Sequence, residues 1–409
     1  MAFEIVPKRP SPGYMEIETV RIQPISRVST LALIVIAGCA LHGSLPGVVE
    51  KQTSTSSTKP EANHYTVLYT FTNGADGGNP GALLRDSSGN IYGTAEHGGV
   101  NNFGVVFKVD PTGTEMVLHS FTGTDGAYPA SDLVRDKAGN LYGTTLLGGA
   151  FHGGVVFKVD PTGIETVIHS FNGKNGNGPS AGVVLGANGS LFGTTESGGA
   201  SDNGVIFKLS ALGKETVLHS FTGADGANPQ SDLTRDGGGN LYGETSYGGP
   251  SGVGVVFKVD RTGVYTVLHA FSDTDGAYPE SKLVLDAVGN LFGTADSVGT
   301  SLGDVFELSP DGTEKTLHTF SGPDGSNPVG DLYRDSSGDL YGTTLDGGAH
   351  NNGVAFKLDA TGAITVLHDF GLPQGAHPLG GLVFGSKQLF GTTVSGGASK
   401  VGVVYRLLP

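Results

Sequence analysis

A phenylalanine returns at Phe71, Phe121, Phe171, Phe221, Phe271, Phe320 and Phe370, in steps of 50, 50, 50, 50, 49 and 50 residues. Its surroundings return with it. The stretch from Glu215 to Asp260 is reused, edited, across nearly everything after residue 64. A constant period of this length means one supersecondary unit copied seven times, not two or three independent domains. Composition decides what kind of unit. With 37% hydrophobic and 15% charged residues, the 409-residue chain is too apolar to be disordered. Its 69 glycines exclude a helical solenoid. Short strands joined by glycine turns remain.

Each unit carries four strand signals, A to D. In the second unit these are 132–136, 140–145, 155–160 and 165–171. Asp136-Lys137-Ala138-Gly139 joins A to B with glycine where a tight hairpin needs positive φ. Asp160-Pro161-Thr162-Gly163 joins C to D with proline at the second turn position, as a type I turn prefers. The B–C and D–A links are longer and glycine-rich. Glycine also recurs inside strand B, from Gly93 to Gly391, and is expected to mark close backbone approach where units converge.

The array begins at Tyr65–Phe71, a D strand with nothing before it, and ends at Val403–Leu408, a C strand with nothing after it. The two ends are therefore expected to complete one unit together. The predicted fold is all-β: a seven-bladed β-propeller of four-stranded antiparallel blades over residues 65–409. Its last blade takes three strands from the C-terminus and its outer strand from the N-terminus, which removes free sheet edges. An open superhelical array is the alternative.

The phrases "FTGTDGAYP", "GNLYGTT" and "GVVFKVDPTG", in that order, resemble the GloVer tandem repeat of bacterial envelope proteins. "LVRDKAGNLYGTT" is more loosely similar to NHL-type propellers and streptogramin lyases. The first resemblance implies display at the cell envelope. It supplies no catalytic residues.

Residues 1–64 lack the repeat. Arg21 and Arg27 precede an apolar run from Val28 that ends in small residues, the layout of a secretory signal peptide. Ile36-Ala37-Gly38-Cys39 resembles a bacterial lipobox, and Cys39 is the only cysteine in the chain. The resemblance implies a signal segment over 1–39 and a lipid on Cys39. Ala40 after the cysteine favours the outer membrane. Residues 1–14 are a candidate misassigned start, with Met15 the more ordinary one. Residues 40–64, rich in Ser, Thr, Lys and Pro, read as a flexible tether.

Candidate chemistry sits in the loops, because varied loops on a repeated scaffold are where binding resides. Rim candidates are His97, His152, His350 and His377, in blades that become contiguous only on ring closure. Glu244 replaces threonine in one copy of the "YGTT" phrase. Asp132, Asp232 and Asp331 hold one repeat position near the channel mouth, where Ala82, Gly182, Lys282 and Gly381 stand in the other copies. Carboxylates there could hold Ca²⁺, although no cofactor is otherwise expected. The histidines repeated on strand D, His119 to His368, are expected to make structural hydrogen bonds within blades, since outer strands of adjacent blades stand too far apart to share an ion.

The net charge of −15 argues against nucleic acid as a partner. The expected function is a monomeric, envelope-anchored binding or scaffolding module for a protein, peptide or glycan. It would meet the membrane only through its lipid. The alternative is an extracytoplasmic lyase or hydrolase using the rim histidines and carboxylates.

Overall fold

The structure is a computed structural model that describes residues 64–129, 131–272, 275–296 and 301–409. The expected signal segment, Cys39 and the tether lie outside the described residues. Glu61–Pro409 forms one compact unit.

That unit consists of seven antiparallel sheets, each built in the order A-B-C-D. In blade 2 the strands are Val134–Arg135, Leu141–Thr145, Val155–Val159 and Glu165–Ser170. Turn chemistry sets the register. Gly139 at φ 92° and Gly163 at φ 89° take a conformation that other residues avoid. Asp160 accepts through Oδ1 from the backbone N–H groups of Thr162 and Ile164, at 2.8 and 3.0 Å. Asp136 does the same for Ala138 and Asn140, at 2.9 Å each. Strand A is shorter than the pattern predicts, two residues in blade 2. Only blade 1 keeps a long one, Gly78–Arg85. In blade 5 it is split, so that Ala277–Pro279 and Val284–Leu285 both pair with Leu291–Asp296.

The ring closes as expected. Tyr65–Thr70 pairs antiparallel with Val403–Leu407, with Tyr65 opposite Leu407 and Thr70 opposite Val403. The open array is thereby excluded. Backbone bonds from Phe71 to Gly402 and from Leu408 to His64 extend the join at both ends.

The periodic phenylalanine packs between blades. Phe121, fully buried, meets Phe157 of the next blade edge-on, with centroids 5.1 Å apart. The same contact recurs from Phe71–Phe107 to Phe370–Tyr405. Each apolar cluster therefore spans two blades. One cluster joins Val106 and Phe121 of blade 1 to Leu133, Leu141 and Phe157 of blade 2. Edge-to-face pairs of this kind contribute about 1 kcal/mol each beyond area burial.

The strand B glycines have a different cause from the one expected. A Cβ on Gly143 would lie 2.8 Å from the ring of Phe157, its register partner in the same blade. The glycine makes room for that ring rather than for a neighbouring blade. Blades are clamped together one residue further on. Thr94, Thr144, Thr343 and Thr392 each donate through Oγ1 to a carbonyl of the next blade, at 2.7–3.2 Å.

Candidate functional site

Strand A lines the channel. Only near the axis can blades 2 and 5 touch, and there Lys282 Nζ lies 3.8 Å from Asp132 Oδ2. Lys282 Nζ also lies 3.4 Å from Asp232 Oδ2, and its backbone N–H donates to Asp331 Oδ1 at 2.8 Å. The structure thus gathers all three aspartates of the repeat position around one lysine. Small residues at the intervening positions make this possible. A Cβ on Gly182 would stand 3.0 Å from Asp232 Oδ2, and one on Gly381 would stand 2.5 Å from Asp331 Cβ. The Gly182 N–H instead donates to Asp232 Oδ1 at 2.5 Å.

Three carboxylates with one ammonium leave an acidic surplus. Burial, then the charges of Asp232 and Asp331, hold the Asp132 carboxyl well above the usual carboxylate range. Burial also raises Asp331, against the pull of Lys282. Burial opposes the charge on Lys282, but Asp232, Asp132 and Asp331 outweigh it and raise its pKa. Lys282 occupies the position of a cation in this ring.

Glu244, expected at the rim, is 1% exposed on strand B of blade 4. It stands where the clamping threonine stands elsewhere. Its longer side chain reaches blade 5, where a Cβ on Gly293 would be 2.9 Å from Oε1. Neither carboxylate oxygen has a hydrogen-bond partner. Burial, followed by the charges of Asp331 and Glu280, pushes its pKa well up.

The rim histidines do not converge. His152 is exposed, and His97 ends strand B of blade 1 with its ring edge-on to Tyr128 at 5.7 Å. His350 Nδ1 pairs with Asp369 Oδ1 at 3.2 Å. His377 lies 2.8 Å from Ser395 Oγ and 3.6 Å from Asp346 Oδ1. That trio has the composition of a nucleophile–base–acid set, yet the Ser395 hydroxyl donates to the Ala376 carbonyl at 3.1 Å. Its one proton is thus already given, and the hydroxyl can only accept from Nδ1. Among the described residues none of the four histidines hydrogen-bonds to the channel carboxylates. Placing them together required more of the ring's geometry than their blade numbers supply.

Five of the strand D histidines bond within their blades: His119 Nε2 meets Asp125 Oδ2 at 3.0 Å, and His219 meets Asp225 at 2.9 Å, whereas His368 Nε2 has no partner and its ring stacks on Tyr65. These aspartates also cap the turn, as the Asp-Gly phrases suggest. The separation expected between outer strands does not hold for longer side chains. The ligand atoms of His119, Asp125 and Glu165, the last from the next blade, all lie within 4.8 Å of one another. His169 likewise meets Glu215 at 3.1 Å. A glutamate opening strand D in most copies was the signal for this contact.

The description "Gloeobacter/Verrucomicrobia repeat" belongs to the family model that matches residues 38–238, 154–335 and 299–409. No curated protein matches the chain. Among solved structures, it is similar to a chain of a mitotic checkpoint complex, with TM-score 0.55 and 12% identity over 91% of this chain and 100% of that one. YCF48 from Cyanidioschyzon merolae gives TM-score 0.54 and 14% identity, covering 85% and 99%. A gluconolactonase from Xanthomonas campestris gives TM-score 0.45 and 14% identity, covering 69% and 86%. At such identities the likeness is one of fold alone.

Proposed function

The chain belongs to the Gloeobacter/Verrucomicrobia repeat family, and we propose that it is a binding module of the bacterial envelope whose channel takes a basic side chain of a protein or peptide. The single observation that carries this is the meeting of Asp132, Asp232 and Asp331 around the Lys282 ammonium. Four blades each contribute one residue. The ring already accommodates one ammonium, and a second cation entering it would favour ionisation of the raised Asp132 and Asp331 carboxyls. A body with net charge −15 also steers basic partners toward itself at low ionic strength. General acid–base catalysis most often uses a histidine, which here would have to lie within reach of these carboxylates. The four rim histidines have other partners or none, which favours binding over the lyase or hydrolase alternative. We place the module at the outer membrane through a lipid on Cys39, with residues 40–64 as its tether, acting as a monomer without nucleic acid.

A panel of basic, neutral and acidic peptides, with a glycan array beside it, tests the ligand class. Basic peptides should bind the full chain in a salt-sensitive manner. D132N should weaken binding at least about tenfold, the scale of one charged hydrogen bond, and K282M should strengthen it. Equal binding of neutral peptides or of glycans, or indifference to both variants, would overturn the reading. Incorporation of labelled palmitate into the chain, lost in C39S, tests the anchor.

A further inference from the structure

On the outer side of the ring, a strand D histidine, the aspartate of the turn after it and a glutamate opening strand D of the next blade recur together. Two copies carry all three: His119, Asp125 and Glu165, and again His269, Asp275 and Glu314. Among the described residues only the first set gathers, with one ligand atom from each side chain within 4.8 Å of the others. In the second, Thr316 Oγ1 donates to Glu314 Oε1 at 3.4 Å.

The first trio is held from three sides. Asp125 Oδ1 accepts from the backbone N–H and the hydroxyl of Thr122, both at 2.8 Å, which leaves Oδ2 facing His119 Nε2 at 3.0 Å. The imidazole stands edge-on to the fully buried Phe121, with centroids 4.9 Å apart. Glu165 comes from the other blade, where it opens strand D opposite Val159. Its Oε1 is buried without a hydrogen-bond partner, which calls for an explanation.

Neighbouring copies show what the second carboxylate changes. Between blades 2 and 3, Asn175 replaces the aspartate. Its amide lies 3.0 Å from His169 Nε2 and donates to Glu215 Oε2, so hydrogen bonds join that trio without an ion. Between blades 7 and 1, Tyr69 replaces the histidine and donates to Asp76 Oδ2 at 2.9 Å. With His119 and Asp125, two carboxylates share one Nε2, which carries at most one proton to give. A divalent cation would balance both charges and accept a lone pair from all three groups. Zn²⁺ takes such a mixture of imidazole nitrogen and carboxylate oxygen, with water in a fourth position. Ca²⁺ and Mg²⁺ prefer oxygen alone. Tetrahedral Zn²⁺ with bonds of about 2.0–2.1 Å holds its ligand atoms roughly 3.4 Å apart. That falls between the 3.0 Å of the His119–Asp125 contact and the 4.8 Å that bounds the trio. The His119 and Asp125 side chains are 18% and 19% exposed, which leaves an approach for water.

We propose that the outer seam between blades 1 and 2 binds one Zn²⁺ through His119 Nε2, Asp125 Oδ2 and a Glu165 oxygen, with water as the fourth ligand. The ion ties together two outer strands that belong to separate sheets. It uses none of the channel residues, so it stands or falls independently of the peptide-binding reading.

The test strips the full chain with EDTA, removes the chelator, and titrates with ZnCl₂ or CaCl₂ alone by calorimetry, with thermal melts alongside. One Zn²⁺ per chain should bind at the seam with Kd of about 10⁻⁶ M, weaker than four-ligand structural sites, and raise Tm. D125N and H119Y should each weaken binding at least about tenfold. Both should fold, because asparagine and tyrosine already stand at these positions in other copies, as Asn175 and Tyr69. E165Q should weaken binding similarly, whereas E314Q and D132N should leave it intact. N175D, which gives the next trio its second carboxylate, should add a second ion. Failure to saturate at about 100 μM Zn²⁺, a hundredfold above the expected Kd, would overturn the proposal. So would unchanged binding in D125N, an equal loss in D132N, or tighter binding of Ca²⁺ than of Zn²⁺.

Discussion

Thr392 Oγ1 donates to the Gly81 carbonyl at 2.7 Å, joining the last blade to the first by the bond that joins blades 1 to 2, 2 to 3 and 6 to 7. The ring is therefore closed twice, by a shared sheet and by this clamp. Thr194 and Thr294 hold the same position in blades 3 and 5 with Oγ1 unpartnered, and blade 4 has Glu244 there, an exchange whose effect is measurable.

Replacing Glu244 with threonine should stabilise the protein in EDTA. The substitution removes a buried carboxylate without a partner and offers a hydroxyl where other blades donate to the next blade's backbone. A gain of about 1–3 kcal/mol is expected, read as a higher denaturation midpoint with unchanged slope. A loss of stability would show that Glu244 has a partner within the fold.

Tyr405 stands where the other six blades carry phenylalanine. It is fully buried, its hydroxyl has no hydrogen-bond partner, and its ring already makes the edge contact that recurs between blades, with Phe370 at 5.1 Å. Y405F keeps the ring and deletes an unsatisfied polar atom. Stability should rise by about 1 kcal/mol. A destabilised variant would mean that the hydroxyl is satisfied in solution.

The ring was legible because its causes are local. Asp160, Gly163 and their copies specify turns within a few residues, and Phe71 to Phe370 count the blades. The orphan strand at Tyr65 then required the join to Val403–Leu407. The three aspartates were also legible, since one repeat position must face one place on the axis. What remained hidden depends on the rotation between neighbouring blades, which a period does not encode. Glu165 reaches His119 of the preceding blade, Glu244 turns into blade 5 instead of the rim, and Lys282 crosses to Asp132. The rim histidines take their partners locally, His97 at Tyr128, His350 at Asp369 and His377 at Ser395, and a repeat position does not foretell such partners.

Gly143 provides a test of packing inside a blade. A Cβ there would press on the Phe157 ring at 2.8 Å and on Leu133 at 2.9 Å, both side chains of the fully packed core. G143A should destabilise by about 1–3 kcal/mol through overpacking. Trimming the opposing ring should recover part of that loss, so G143A with F157L should cost less than the sum of the two single changes. Simple additivity, measured by chemical denaturation, would refute the contact.

The interblade glutamates predict an unusual pH dependence. Burial, then the charge of Asp76, pushes Glu115 up to about 7; burial and Asp125 do the same for Glu165. Both folded values exceed the ordinary 4.5, so between pH 4.5 and about 7 the folded chain binds more protons than the unfolded one. The contribution of these two carboxyls to stability therefore falls as pH rises through that window. The turn aspartates Asp86, Asp136 and Asp236 act oppositely. Burial raises them, but hydrogen bonds from their asparagine neighbours outweigh it and hold them below 3.8, so their contribution disappears only in stronger acid. Burial lowers His368 to about 4, which acts against the glutamates between pH 4 and 6.5, so their decline is read in EDTA as a difference from a variant lacking them. Both glutamates keep partial contact with water, so screening keeps the decline modest. The double variant E115Q/E165Q should flatten the decline toward pH 7 and leave the acid limb in place. An unchanged profile in that variant would show that these carboxyls titrate normally and that the outer strands are held together by packing alone.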